Sequence, residues 1–324
     1  MLKKASVKHM ITGVIFSSRR NSMFQFLPHS VLQMGTIFLS IVIEALPFVM
    51  LGCVISGALH VFLTPERVKK ILPKNKFLSI IVGSLLGFFF PSCECGIVPI
   101  VHQFVKKDVP TYTAFAFMIT APIINPIVLF STYIAFSNSI KFVIWRVVGS
   151  MLVALVVGVW LAYFNSEPIL QQAELDHVCT LEEHRHQHHE NEASWHKCWS
   201  VLTHGIDEFF DSGRYLIFGS LLAAAMQTYL PTGAILQLGH TKILAILVML
   251  VLAATLSLCS EADAFIGSSL LSLFGSGPIV GFLVFGPMVD IKNLLMMKRY
   301  FKTSFMLKFV GIVTVVVSLY ALAI

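Results

Sequence analysis

The chain has 324 residues, of which 56% are hydrophobic and only 12% charged, with a mean hydropathy of +0.81. Soluble domains carry about 25% charged residues, so this composition excludes an ordinary water-soluble globule. The formal net charge of +6 does not point to nucleic acid. The basic residues gather at the ends of apolar segments, as in Arg67, Lys69, Lys70, Lys74 and Lys76, or Lys106 and Lys107, or Lys298, Arg299 and Lys302. That placement suits phospholipid headgroups and topology signals.

In chain order, residues 1–30 read as a basic tail or an interfacial helix carrying Lys3, Lys4 and Lys8. The apolar run Met10–Phe16 is short and lacks a small-residue cleavage site, so it does not read as a cleaved signal peptide. Eight membrane segments follow, at about 31–63, 77–105, 111–137, 141–164, 201–230, 242–273, 278–297 and 304–324. Apolar stretches such as Ile37–Phe62, Phe142–Phe164 and Phe305–Ile324 are about the length needed to cross a bilayer core. In lipid the backbone must satisfy its own hydrogen bonds, and continuous rather than alternating hydrophobicity selects helices over a barrel. Residues 165–200 form a His-rich polar linker between a first half, 31–164, and a second half, 201–324. The expected fold is an all-α polytopic membrane protein, with about eight transmembrane helices arranged as two related four-helix repeats with broken helices.

The repeats are read from spacing. Glu44 precedes Gly52 by eight residues, and Asp211 precedes Gly219 by the same interval. Cys93 follows Glu44 by 49 residues and Cys259 follows Asp211 by 48. Pro122 then follows Cys93 by 29, and Pro287 follows Cys259 by 28. Four traversals per half would make the repeats parallel, whereas a re-entrant Cys-containing segment would make them inverted, and spacing leaves both open.

Polar interruptions within the apolar segments supply the candidate site. Pro91 and Gly96 flank Ser92-Cys93-Glu94-Cys95, where a broken helix frees backbone groups, Cys93 and Cys95 offer soft sulfur, and Glu94 places a carboxylate at membrane depth. A kink packed with small cysteines is the plainer reading of the thiols alone. The second half carries Cys259, Glu261 and Asp263 at the matching place. Asn125, between Pro122 and Pro126, and Asp290, after Pro287, can sit at the ends of half-helices facing a solute, or can simply patch a backbone group freed by the proline. Glu44 and Asp211 are candidates for coupling to protons or cations. Asp211 has Arg214 one turn later as a ready partner, whereas Glu44 has no base within a turn.

The linker's His184, His186, His188 and His189 are a candidate loose metal site, against the simpler reading of a solvated segment. No nucleotide-binding loop, nucleophile elbow or dinucleotide fingerprint is present, so no enzyme activity and no cofactor is expected. Three readings follow. The first is a permease for a small solute or ion, contacting it through Cys93, Cys95 and Cys259. The second is a membrane thiol oxidoreductase, and the third a non-transporting subunit or metal or pH sensor.

Glu44-Ala-Leu-Pro-Phe, Pro91-Ser-Cys-Glu-Cys-Gly with Pro99, Thr120-Ala-Pro-Ile-Ile-Asn-Pro, Cys259-Ser-Glu-Ala-Asp-Ala-Phe and Gly286-Pro-Met-Val-Asp together resemble the predicted permease family that includes the organoarsenical efflux permease ArsP and the YraQ-like permeases. The resemblance spans about residues 30 to 300. It implies a multi-pass inner-membrane permease, places thiol-based handling of a metalloid on Cys93, Cys95 or Cys259, and makes a second membrane subunit a plausible partner.

Overall fold

The computed structural model describes residues 29–62, 72–73, 75–90, 93–164, 169–170, 194–229 and 241–324. The first half begins with α1 (His29–Phe62), followed by α2 (Lys76–Leu86), which ends in a 3-10 turn at Gly87–Phe89. Then come α3 (Glu94–Lys106), α4 (Thr111–Ile124), α5 (Pro126–Ala135) and α6 (Ile140–Tyr163). The second half comprises α7 (Ser194–Tyr229), α8 (Lys242–Leu256), α9 (Ser260–Phe274), α10 (Ser276–Phe285), α11 (Ile291–Tyr300) and α12 (Thr303–Ala323). Both halves follow one order: a long helix, two short helices either side of a break, two more either side of another break, and a long closing helix. No strand occurs among the described residues, only an isolated bridge between Leu170 and Phe301.

Three described helices are long and apolar enough to cross a membrane, in Ser30–Leu59, Ile140–Tyr163 and Thr303–Ala323. The pair α4 and α5, bent by 41° at Asn125, makes a fourth if it is one span. Length and composition therefore account for three or four traversals where the sequence leads one to expect eight. The segments expected at 77–105, 242–273 and 278–297 each resolve into two helices with non-helical residues between them. Most of the segment expected at 201–230 lies within α7, whose middle carries Asp207, Glu208, Asp211 and Arg214.

The 165–200 boundary also shifts. α7 already begins at Ser194, and Ile169 and Leu170 are buried against the α11–α12 junction. There the Lys302 amide donates to the Ile169 carbonyl at 3.0 Å. These two apolar residues belong to the packed body rather than to a polar linker. His184, His186, His188 and His189 lie outside the described residues, as does Pro91.

The core is formed where α4, α6, α10 and α12 meet. α4 is buried from Thr113 to Ile124 and α10 from Gly277 to Phe285. The Phe115 ring meets Phe301, Phe305 and Phe309 edge-on, with centroids 5.2, 5.0 and 5.9 Å away. Each such aromatic pair adds about 0.5–1.5 kcal/mol beyond its buried area. Tyr320 of α12 donates from its hydroxyl to the Trp145 carbonyl of α6 at 2.8 Å, tying the two closing helices together.

The long helices α1 and α7 pack on each other, and each also lies on a short helix: α1 on α3 and α7 on α11. Glycine permits both approaches. A Cβ on Gly52 would fall 2.3 Å from the Gly96 carbonyl oxygen, and one on Gly219 would fall 3.0 Å from the Lys292 Cα. Backbone can come that close only where no side chain intervenes. Gly52→Ala should therefore cost about 1–3 kcal/mol, the usual penalty for overpacking, read as a lower unfolding temperature of the detergent-solubilised protein. Gly35→Ala, with nothing within 4 Å of its Cβ position, should leave that temperature unchanged or slightly raised. Equal behaviour of the two variants would contradict the close α1–α3 contact.

Candidate functional site

α3 starts at Glu94 because Cys93 is extended, with φ −76° and ψ 172°. Pro99 sits inside the helix and lacks an amide hydrogen, so the carbonyl four residues back, that of Cys95, has no helical donor. The matching break in the second half has a different cause. Ser257 adopts the left-handed conformation, with φ 46° and ψ 45°, which ends α8. For a non-glycine residue this costs about 1–2 kcal/mol. Gln227 of α7 stabilises the break by donating from Nε2 to the Leu256 carbonyl. α9 then starts at Ser260 with Cys259 as its capping position.

The two breaks face one cavity of about 220 Å³. Cys93, Glu94 and Cys95 line it from the first break, Cys259 and Glu261 from the second, and Glu44, Ala45 and Phe48 from α1. Of the residues singled out in the sequence, six thus share this cavity: Glu44, Cys93, Glu94, Cys95, Cys259 and Glu261. The thiols of Cys93, Cys95 and Cys259 are free. Cys95 interacts with Cys93, and Cys259 with the Glu44 side chain. Among the described residues no group of three or more His, Cys, Asp or Glu is arranged to hold a metal ion. Any soft solute would meet these groups along the cavity wall rather than in a preformed chelate.

Sequence reasoning missed the cations that balance this site. Lys292, in the first turn of α11, also lines the cavity, and its Nζ lies 3.8 Å from Glu94 Oε1. Both side chains are at most 5% exposed. Arg146 of α6 is fully buried and is the bulkiest such side chain among the described residues. It donates from Nη1 to Thr132 Oγ1 at 2.7 Å and from Nη2 to the Ser260 carbonyl at 3.0 Å. It therefore joins α5, α6 and the start of α9. Asp263, buried on the first turn of α9, lies within its electrostatic reach. A usable signal was present. Arg146 interrupts the apolar run 142–164 and Lys292 the expected segment 278–297, and a cation inside a membrane segment marks a functional or structural partner by default.

The remaining candidates do other jobs. Asn125 caps α5, its Oδ1 accepting from the Ile127 amide at 3.0 Å. Asp290 caps α11, its Oδ1 accepting from the Asn293 amide at 2.7 Å, beside Lys292. Pro122 lies inside α4, Pro126 opens α5, and Pro287 lies in the turn between α10 and α11. Asp211 is remote from the cavity. It pairs with Arg214, and its Oδ2 lies 3.7 Å from Arg299 Nη2.

Carboxylate oxygens Glu94 Oε2, Asp263 Oδ2 and Asp290 Oδ2 are buried with no hydrogen-bond partner among the described residues. Such groups are costly unless a charge or a proton compensates them. Arg146→Met should therefore destabilise the protein by about 3–5 kcal/mol, because it strands Asp263 and frees the Ser260 carbonyl. Adding Asp263→Asn should restore part of the loss, as read by thermal unfolding. A single variant that unfolds like the unaltered protein would show that Arg146 does not hold the second break.

No solved structure matches the chain. It is 52% identical over 301 residues to a Streptococcus mutans protein provisionally named a two-component membrane permease complex subunit, covering 93% of this chain and 98% of that protein. It is 47% identical over 289 residues to the UPF0718 protein YcgR of Bacillus subtilis, covering 89% and 95% respectively. The family profile ArsP_1, whose description is predicted permease, matches residues 30–324. The chain is therefore a membrane protein of the ArsP_1 predicted permease family.

Proposed function

We propose that the protein is a multi-pass cell-membrane permease, acting as a secondary transporter that exports a small thiophilic solute, such as a trivalent metalloid species or soft metal. The observation that carries this reading is the cavity where two helix breaks bring Cys93, Cys95 and Cys259 together with the Glu94–Lys292 pair. Soft sulfur ligands favour soft acceptors. The adjacent carboxylates supply the charge that a cation or proton would answer. The reading extends to architecture: two related halves of four membrane segments each, supported by the shared order of elements.

Short helices explain why the cavity would lie at mid-depth. α3 has 13 residues and α11 has 10, so they extend about 20 and 15 Å at 1.5 Å per residue, against a core of about 30 Å. Their basic C-terminal ends, Lys106 and Lys298–Arg299, suit the headgroup level, which sets their N-termini near the midplane.

A second membrane subunit completes the proposal, drawn from the name of the Streptococcus mutans relative. In that case the chain would contribute the solute cavity, and the partner would be needed for flux.

The test is tolerance and accumulation profiling of a deletion strain. Complementation would use the unaltered gene or the variant Cys93→Ser/Cys95→Ser/Cys259→Ser, across trivalent arsenicals, other thiophilic metals and low pH. Rescue with lowered accumulation in one condition is expected from the unaltered protein. The triple variant should lose about tenfold in effective affinity or more, corresponding to about 1.4 kcal/mol of lost binding. Full rescue by the thiol-free protein would make the cysteines packing residues.

A further inference from the structure

α3 and α11 run side by side in the same direction, and a second polar cluster occupies their far end. At their starts Glu94 meets Lys292 at 3.8 Å. At their ends the His102 ring stacks on the Tyr300 ring with centroids 4.0 Å apart. From Glu94 to His102 is eight residues, or about 12 Å along the helix. A cavity of about 150 Å³ lies here, walled by α3, α7 and α11 and bounded by Gly57 of α1.

Glu208 of α7 is the centre of the cluster. Its Oε1 accepts from the Tyr300 hydroxyl at 2.7 Å and lies 3.5 Å from His102 Nδ1. Its Oε2 lies 3.4 Å from Gln103 Nε2. The Tyr300 hydroxyl is itself 2.7 Å from Ser212 Oγ. His102 is 2% exposed and Glu208 13%. The other ionisable groups facing this cluster are Lys106 on α3, His204, Asp207 and Asp211 on α7, Arg299 on α11, and Cys53 on α1.

An imidazole held against a carboxylate, with a tyrosine ordering the carboxylate, is a place to bind one proton as an imidazolium–carboxylate pair. The plainer alternative is a fixed structural ion pair. The cavity beside it, lined also by Lys106, Asp207 and Arg299, leaves room for water that a purely structural pair would not need. The segment between the two cavities is also locally weakened. Pro99 interrupts the α3 ladder there, and Ser56 of α1, fully buried, reaches the Pro99 carbonyl at 3.4 Å.

We propose that this second cavity is the proton-binding chamber of the permease. His102 takes a proton from solvent at the headgroup end, Glu208 balances the charge, and the same helix pair carries the solute cavity at its other end. The proposal rests on the permease reading and assigns it protons as the driving ion.

The experiment is a pH-difference infrared titration, between about pH 4 and pH 9, spanning the ordinary range of carboxyl and imidazole groups. It uses full-length protein reconstituted in lipid with isotope-labelled histidine. A histidine ring change and a carboxylate change should titrate together. The pair should vanish in His102→Gln, and its carboxylate component should vanish in Glu208→Gln. Superposable spectra for the unaltered protein and either variant would overturn the proposal. Should those variants fold poorly, Tyr300→Phe keeps the ring stacked on His102 and removes only the hydroxyl. It should move the shared midpoint by about half a pH unit or more, and an unchanged midpoint would equally overturn the assignment. The titration needs no transported solute. Failure of the proton chamber would leave metalloid rescue by the unaltered protein intact, and failure of that rescue would leave the titration readable.

Discussion

The rest of the structure depends on how the chain compensates charge and broken backbone inside an apolar body. Lipid offers no hydrogen bonds, so each interruption of a helix must be satisfied by another part of the protein. Arg146 meets the largest of these obligations. Its guanidinium reaches Thr132 on α5 and the Ser260 carbonyl at the start of α9, so an element of the first half fixes the break in the second. Lys292 reciprocates, bringing a cation of the second half to Glu94 at the break in the first. The cavity exists because these two cross-half links hold two helix starts facing each other without closing the space between them.

Composition revealed the helical, membrane-embedded character of the chain, because no soluble core tolerates so few charges over so many residues. The positions of the breaks were legible too, at the segments carrying polar, proline or glycine interruptions. Traversal was harder to read. A run such as 77–105 looks like one span because hydropathy does not register whether the backbone is continuous. The structure divides that run between Phe89 and Glu94. Similarly, α7 reads as apolar beyond Arg214, but its first half carries acids that serve the second cavity.

The candidate site was legible in its thiols and acids and illegible in its cations. Cys93, Glu94, Cys95, Cys259 and Glu261 stand out because polar residues interrupt apolar runs. Lys292 lies near the basic cluster Lys298–Lys302, which suits a membrane boundary, and only the fold shows it turned inward at the opposite end of α11. Asn125 and Asp290 show how one residue type serves two readings. Their residue types suit both a solute site and a helix cap, and their bonds to Ile127 and Asn293 are those of caps. His102 and Glu208 are separated by more than a hundred residues and could become neighbours only through the packing of α1, α3, α7 and α11.

The shared order of elements does not give the two halves the same surroundings. α3 pairs with α11, and α5 pairs with α9, so each pair takes one helix from either half. The long helices α1 and α7 pack on each other, and then on α3 and α11 respectively. Both cavities consequently flank that pair, with Glu94 and Lys292 at one end and His102, Glu208 and Tyr300 at the other. The α5–α9 pair presents Ile127, Phe130, Phe265 and Leu273 outward, a surface that lipid tails cover without the cost such side chains would incur in water. Both cavities thus lie along one helix pair, while Arg146 of α6 ties the other pair together by reaching Thr132 on α5 and the Ser260 carbonyl at the start of α9.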